Sequence, residues 1–274
     1  MISFAAICPH PPIIVPGIGT KEDLSQVGKT IKAMEKLSDE IAEVKPETII
    51  IISPHGLVYQ DRMNIIVSPK LSGDFGNFGV PDIRLKYNGD FYLAKEIHNQ
   101  SNRQGISTIL HTDPDNSDYE LDHGVMVPLY YLSKNLPKQT KIIPINYSYL
   151  DRAQHFGFGQ VIWEVCNSDE FKDQEIAIIS SGDLSHRLFQ GAPAGYSKSG
   201  SEFDRELVEL IKGNQVQEIL EMDERFLEDA GECGYRSILI LYGLLNGMKY
   251  IPEILSYEGP FGVGYLVANF KLQL

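Results

Sequence analysis

The chain has 274 residues and a formal charge of −13, without the clustered Lys/Arg that a phosphate backbone demands, which argues against nucleic acid as a partner. Hydrophobic residues make up 43% and charged residues 22%, ordinary globular usage that excludes a disordered chain, and the length suffices to bury a large core. Three cysteines, Cys8, Cys166 and Cys233, with no C-x-x-C pair, make a disulfide framework unexpected and a cytoplasmic setting the expectation; the N-terminus lacks a basic start and no run of about 18 apolar residues announces a membrane span.

In chain order, "ISFAAI" (2–7) is a short apolar run stopped by proline, as expected of a buried strand. Residues 21–44 place Leu24, Val27, Ile31, Met34, Leu37 and Ile41 at steps of three and four, which predicts one amphipathic helix. "ETIIIIS" (47–53) predicts a second buried strand and "NIIVS" (64–68) another. Gly73, Gly76, Gly79 and Pro81 predict a loop, and "NFGVPDIRLKYNGD" (77–90) suits either a flap over a pocket or a plain surface loop. A helix over 90–102 and a strand over 105–110 follow, then a polar segment, "HTDPDNSDYELDH" (111–123). Beyond it come a short helix, a strand (141–147), a helix (151–166), a strand (175–182), helices within 198–227 and 234–247, and two closing strands, "YIPEILSYEG" and "GVGYLVANFKLQ". Strands that alternate with helices predict an α/β fold: a single three-layer α/β/α domain over 1–274, with a mostly buried central sheet and an antiparallel pair at its end.

Three of the seven histidines follow predicted strands: His10 in "CPHPP", His55 in "SPHG" and His186 in "DLSH". Ligand sites of open α/β sheets gather at the carboxyl ends of strands, so these three converge if their strands are neighbours. Neutral imidazole is a common protein ligand for transition metals, usually completed by a carboxylate. The candidate carboxylates are Asp122, Asp183, Glu228, Asp229 and Glu232, the last between two glycines before a predicted helix. His98 reads as a surface residue, His155 as a helical residue without a partner signal, and His111 stays open. Tyr147, Tyr149, Tyr196 and Tyr235 lie near these motifs, and Arg187 and Arg236 would suit either a substrate carboxylate or a surface ion pair.

Together, and in order, "CPHPP", "SPHG", "LDHGVMVPL", "SGDLSH" and "GECGYRS" resemble the class III extradiol ring-cleavage dioxygenases of the catalytic-subunit (LigB-like) type, and also the related Memo-like proteins. The resemblance implies Fe(II) held by His10, His55 and Glu232, with His123 beside substrate and oxygen and His186 as the acid–base histidine. It implies a catecholic substrate, O2, an oxidoreductase of aromatic compound catabolism, and in some members a small partner subunit; a homodimer is the expected assembly. Cys233, next to Glu232, resembles the Memo-like pattern, in which a cysteine sits near the histidines and ring cleavage is not implied. Two other readings stay open: a Memo-like metal-binding protein, and a hydrolase with Zn²⁺ or another divalent metal in the same shell, although no H-E-x-x-H helix is present.

Overall fold

The apolar runs become the middle of the molecule. In the computed structural model, which describes residues 1–112 and 118–273, β1 (Ile2–Cys8) leads to helices α1 (Lys21–Gln26) and α2 (Gly28–Val44). Then come β2 (Thr48–Ser53), β3 (Met63–Ile66), β4 (Lys70–Phe75), β5 (Val80–Asn88), α3 (Phe91–Arg103), β6 (Thr108–His111) and β7 (Tyr119–Glu120). The second half holds α4 (His123–Leu132), β8 (Lys141–Asn146), α5 (Arg152–Cys166), β9 (Ile176–Ser181), α6 (Lys198–Lys212), α7 (Val216–Leu220), α8 (Glu224–Ala230), α9 (Tyr235–Leu245), β10 (Tyr250–Glu258) and β11 (Tyr265–Leu272).

Eight strands form one sheet in the order β10-β11-β1-β9-β2-β8-β3-β6. The inner strands β1, β9, β2 and β8 are parallel, and β10 and β11 close one side as the expected antiparallel pair. Side chains alternate across a strand, and β2 shows the result. Ile49 and Ile51 point to the layer of Met34, Leu37 and Ile41 from α2 and Val125 from α4. Ile50 and Ile52 point to the layer of Leu93 from α3, Phe158 from α5 and Leu241 from α9. Every residue of β2 and β9 is buried, and each fully buried isoleucine contributes about 1.5–3 kcal/mol. The predicted three-layer arrangement with a buried sheet is the one the chain adopts.

Two expectations change. The helix over 21–44 is two: Val27 leaves helical geometry (φ −105°, ψ 24°) between α1 and α2, and α1 has its own start, where Thr20 and Asp23 bond reciprocally in a capping box. The glycine-rich stretch around 73–81 is not a loop. It is the hairpin β4–β5, which joins β7 in a separate three-stranded sheet. Along β5 burial alternates as a half-exposed ribbon does, and its charged outer positions mask the strand pattern. Of the polar segment 111–123, residues 113–117 lie outside the described residues.

Helices α5 and α9 cross with their backbones touching. A β-carbon on Gly159 would sit 2.0 Å from the Ile240 carbonyl oxygen, and one on Gly243 would sit 1.9 Å from that of Phe156. Glycine at this crossing gives up helix propensity and gains close approach.

Candidate metal centre

Strands β1, β9 and β2 lie side by side, so the segments leaving their carboxyl ends meet. His10 follows β1, His55 follows β2, and the loop with Asp183 and His186 follows β9. The ring nitrogens of His10, His55 and His123 form a group whose ligand atoms all lie within 4.8 Å of one another. The ring centroids are 4.8 Å apart for His10–His55, 5.4 Å for His10–His123 and 4.1 Å for His55–His123. His123 arrives by another route: Asp122 caps α4 by accepting the Val125 N–H, and His123 is the first residue of that helix. Phe78, from the short 3₁₀ turn between β4 and β5, sets its ring 5.7 Å from that of His123. The stretch read as a flap or loop thus covers one side of the histidines with an aromatic ring on an ordered ribbon.

The surrounding hydrogen bonds decide which nitrogens are free. The Ser181 hydroxyl donates to the Gly124 carbonyl at 2.5 Å, so its oxygen is left to accept from His10 Nδ1–H at 3.0 Å. The lone pair of His10 is therefore on Nε2. That atom lies 3.0 Å from His55 Nε2, and two ring nitrogens so close need a proton or a cation between them. Two nitrogens each about 2.1 Å from one ion, at right angles to each other, would be about 3.0 Å apart. The donor set and its spacing fit a divalent transition metal. His10 N–H donates to Asp183 Oδ1 at 2.9 Å. Ser53 accepts the His55 N–H at 3.1 Å and donates its own hydroxyl to Asp122 at 2.7 Å. Asp122 and Asp183 act on the segments that carry the histidines, and Asp183 caps none of the described helices.

Burial holds all four imidazoles below the ordinary histidine value: His10 well below, His55 down to about 4, and His123 and His186 lowered. At neutral pH they are uncharged, the form that binds metal. The charges of neighbouring histidines, His186 among them, lower His10 and His55 further. His186 Nδ1 faces the Gly231 carbonyl at 3.1 Å. A carbonyl only accepts, so Nδ1 carries the hydrogen and Nε2 is the basic atom.

Glu232 is not part of the three-histidine group. Its carboxylate accepts the Tyr235 N–H at 2.6 Å at the start of α9, and burial pushes it up to about 7. The neighbouring Cys233 faces the histidines instead, with Sγ 3.7 Å from His10 Nε2 and 3.5 Å from the Asp183 carbonyl. The backbone of Gly182 makes this possible: a β-carbon there would lie 2.2 Å from Gly234 Cα, so the segments after β9 and before α9 touch. Glu228 and Asp229 lie on the exposed side of α8, where their backbone carbonyls accept from Arg187. Arg187 thus caps a helix end and makes no ion pair among the described residues. His155 is wholly buried between the Asp151 and Ser148 carbonyls, and His98 bonds Thr108 at 2.7 Å. His111 ends β6 with its ring 5.5 Å from that of Tyr119. Tyr147 donates to the Cys233 carbonyl at 3.1 Å, whereas Tyr196 is exposed.

The sequence pattern singles out His10, His55 and His186 by their places after strands; of these the structure brings His10 and His55 into one group, with His123. That pattern misses Ser181 and Ser53, although serines at the ends of otherwise apolar strands are a usable sign. Ser181→Ala is expected to weaken metal binding about 10- to 100-fold, the usual effect of removing a group that orients a ligand, and to lower the melting midpoint as well, because the Gly124 carbonyl and His10 Nδ1–H lose a buried partner; competition against a chelating dye measures the first effect.

A second buried carboxyl supports the His186 loop. Asp204 on α6 accepts the Ser185 N–H at 2.8 Å and the Tyr257 O–H at 2.6 Å, and burial raises it from 3.8 to about 7. The folded state then binds this proton more tightly than the unfolded chain. Its stabilising contribution is full below about pH 4 and is lost as pH rises toward 7. Urea midpoints at pH 5 and pH 8 are expected to differ less in Asp204→Asn than in the parent chain.

Comparison with known proteins adds four findings. A family model described as the catalytic LigB subunit of aromatic ring-opening dioxygenase matches residues 4–268. Protein CA_C1420 of Clostridium acetobutylicum is 37% identical over 269 residues, which are 97% of this chain and 56% of that protein, so the chain spans little more than half of that relative. The 2-aminophenol 1,6-dioxygenase beta subunit of a Pseudomonas species is 23% identical over 286 residues, covering 97% of this chain and 92% of that one. The crystal structure of the uncharacterized protein JW3007 from Escherichia coli K12 shares the fold, with a TM-score of 0.66 and 16% identity over 97% of this chain and 99% of the other.

Proposed function

The chain belongs to the family of catalytic LigB subunits of aromatic ring-opening dioxygenases, and from that premise we propose that it is a non-haem Fe(II) extradiol dioxygenase acting on a catecholic or similarly substituted aromatic ring with O2. The observation that carries this reading is the pair of Nε2 atoms of His10 and His55, 3.0 Å apart. These two imidazoles would hold the ion, with His123 as the third nitrogen in reach. Bound there, Fe(II) would supply open positions for substrate and O2 and a route for electrons between them.

The chain's own residues have separate tasks in this scheme. His186 Nε2 is free to take a proton from a substrate hydroxyl, because Nδ1–H is committed to Gly231. Its lowered basicity keeps it unprotonated, and so ready to act as a base, at neutral pH. Phe78 limits water on the His123 side and offers a ring face to an aromatic substrate. His186→Ala is expected to keep full metal content and lose turnover by at least about 100-fold, the usual share of general-base catalysis. Iron analysis beside steady-state rates measures both, and loss of stoichiometric iron would make His186 a ligand.

The test of the function is to load the chain with Fe(II) under anaerobic conditions, then offer a panel of catechols and aminophenols with O2. Oxygen uptake with a yellow ring-fission product supports the reading; full iron occupancy without uptake on any member ends it. A second reading is favoured by Cys233, whose Sγ lies 3.7 Å from His10 Nε2: a Memo-like protein that binds metal through thiolate and imidazole and does not cleave rings. Retention of metal by Cys233→Ser at parental affinity would remove that reading. The three described cysteines are all free, which suits the cytoplasmic setting this proposal assumes. No described helix is long and apolar enough to cross a membrane.

A further inference from the structure

A cavity of about 700 Å³ lies between the start of α5, α8 and the start of α9, and His10, His55, His123 and His186 do not line it. Its size is that of a small-molecule site. Two arginines line it, and their situations differ. Arg152 is spent on the fold: its guanidinium donates to the Leu220 and Met222 carbonyls and lies 5.6 Å from the centre of the Tyr235 ring. Arg236 lies over the rings of Tyr147 and Tyr149, at 6.0 and 5.4 Å. Among the described residues it makes no hydrogen bond or ion pair, so its fork of donors is available to a carboxylate. Beside it the lining includes four acidic residues, Asp151, Glu224, Glu228 and Glu232. A ligand with only negative charge would be repelled by them, and one with only positive charge would be repelled by Arg236.

We propose that this groove is a second ligand site, apart from the histidine centre, for a free α-amino acid, with the ligand carboxylate on Arg236 and its ammonium on the Glu228–Glu232 side. The exposed ring of Tyr149 gives an apolar wall for the side chain. The inference stands on the cavity and its charges, independent of any ring-cleavage activity. The groove adjoins the centre through one segment: Gly231 and Glu232 line it, the Gly231 carbonyl holds His186, and Cys233 faces His10.

The test uses the full chain in the presence of EDTA, so that no amino acid can bind through a metal. Each of the standard amino acids is titrated by calorimetry. At least one is expected to bind with a Kd below about 1 mM. For that amino acid, the matching amine without carboxylate and the matching acid without ammonium are each expected to bind at least about tenfold more weakly, a change of about 1.4 kcal/mol. Arg236→Gln is expected to lose at least about tenfold, and Arg236→Lys, which keeps the charge, to lose less; thermal melts show both variants folded. His55→Ala is expected to bind as the parent does. Absence of binding by every amino acid at about 10 mM overturns the proposal. So does equal binding of the acid lacking its ammonium, parental affinity in Arg236→Gln, or loss of binding in His55→Ala.

Discussion

Replacing His55 with alanine is expected to leave a folded chain whose metal affinity falls by more than about 100-fold, beyond the loss expected from a supporting residue alone. The ring is partly exposed, and its removal costs the core little. The local backbone has other supports: the His55 N–H donates to Ser53, and its carbonyl accepts from the Asn146 side chain. What goes is one of the two nitrogens 3.0 Å apart, and with it the shared position for an ion. Metal analysis after dialysis, alongside a thermal melt, checks both halves. Glu232→Gln makes the contrast. Its carboxylate is engaged with the Tyr235 N–H, and glutamine can still accept there, so that variant is expected to retain metal at near-parental affinity. A full metal load in His55→Ala would remove the basis of the histidine centre. Metal loss in Glu232→Gln equal to that in His55→Ala would return the carboxylate to the shell.

The second large effect is on stability. Gly243→Ala places a β-carbon 1.9 Å from the Phe156 carbonyl oxygen and 2.7 Å from its carbon. Both obstacles are backbone atoms of a packed helix and cannot rotate away, so α5 and α9 must separate. Overpacking of this kind costs about 1–3 kcal/mol and occasionally more, against about 1 kcal/mol gained from alanine's better helix propensity. Both obstacles being backbone, the cost falls at the upper end of that range, and a net loss of about 2 kcal/mol is expected. For a chain of this size that is a fall of roughly 4–8 °C in melting midpoint. Gly28→Ala is the control: its β-carbon meets nothing within 4 Å, and it is expected to be neutral or stabilising by up to about 1 kcal/mol. Equal midpoints for the two variants would contradict the tight crossing.

The strands at 2–7, 47–53 and 175–182 were legible because buried parallel strands are near-continuous apolar runs. The hairpin β4–β5 was not, because a half-exposed ribbon with charged outer positions and glycines has the composition of a loop. The site was legible where a residue's place depends on one strand end: His10 and His55 point outward from β1 and β2. Their meeting depends on strand order, and no local pattern encodes that β9 lies between β1 and β2. His123 begins a helix and follows no inner strand, so its approach to the other two rings was visible only through family resemblance, which cast it beside the metal and not among the three nitrogens. Between Glu232 and Cys233 the nearer neighbour of His10 is set by the conformation of a single turn, which composition does not encode.

The place of β1 in the sheet bears on how the protein is made. Ala6 pairs with Ile179 on one side and Asn269 on the other, partners the ribosome delivers only after most of the chain has emerged. Until then an apolar strand has neither neighbour, and long-range pairing of this kind is slow and prone to aggregation. His10 rides on that strand and Cys233 follows 223 positions later. The proposed ion site is therefore complete only once β1 has joined β9 and β11, late in the assembly of the sheet.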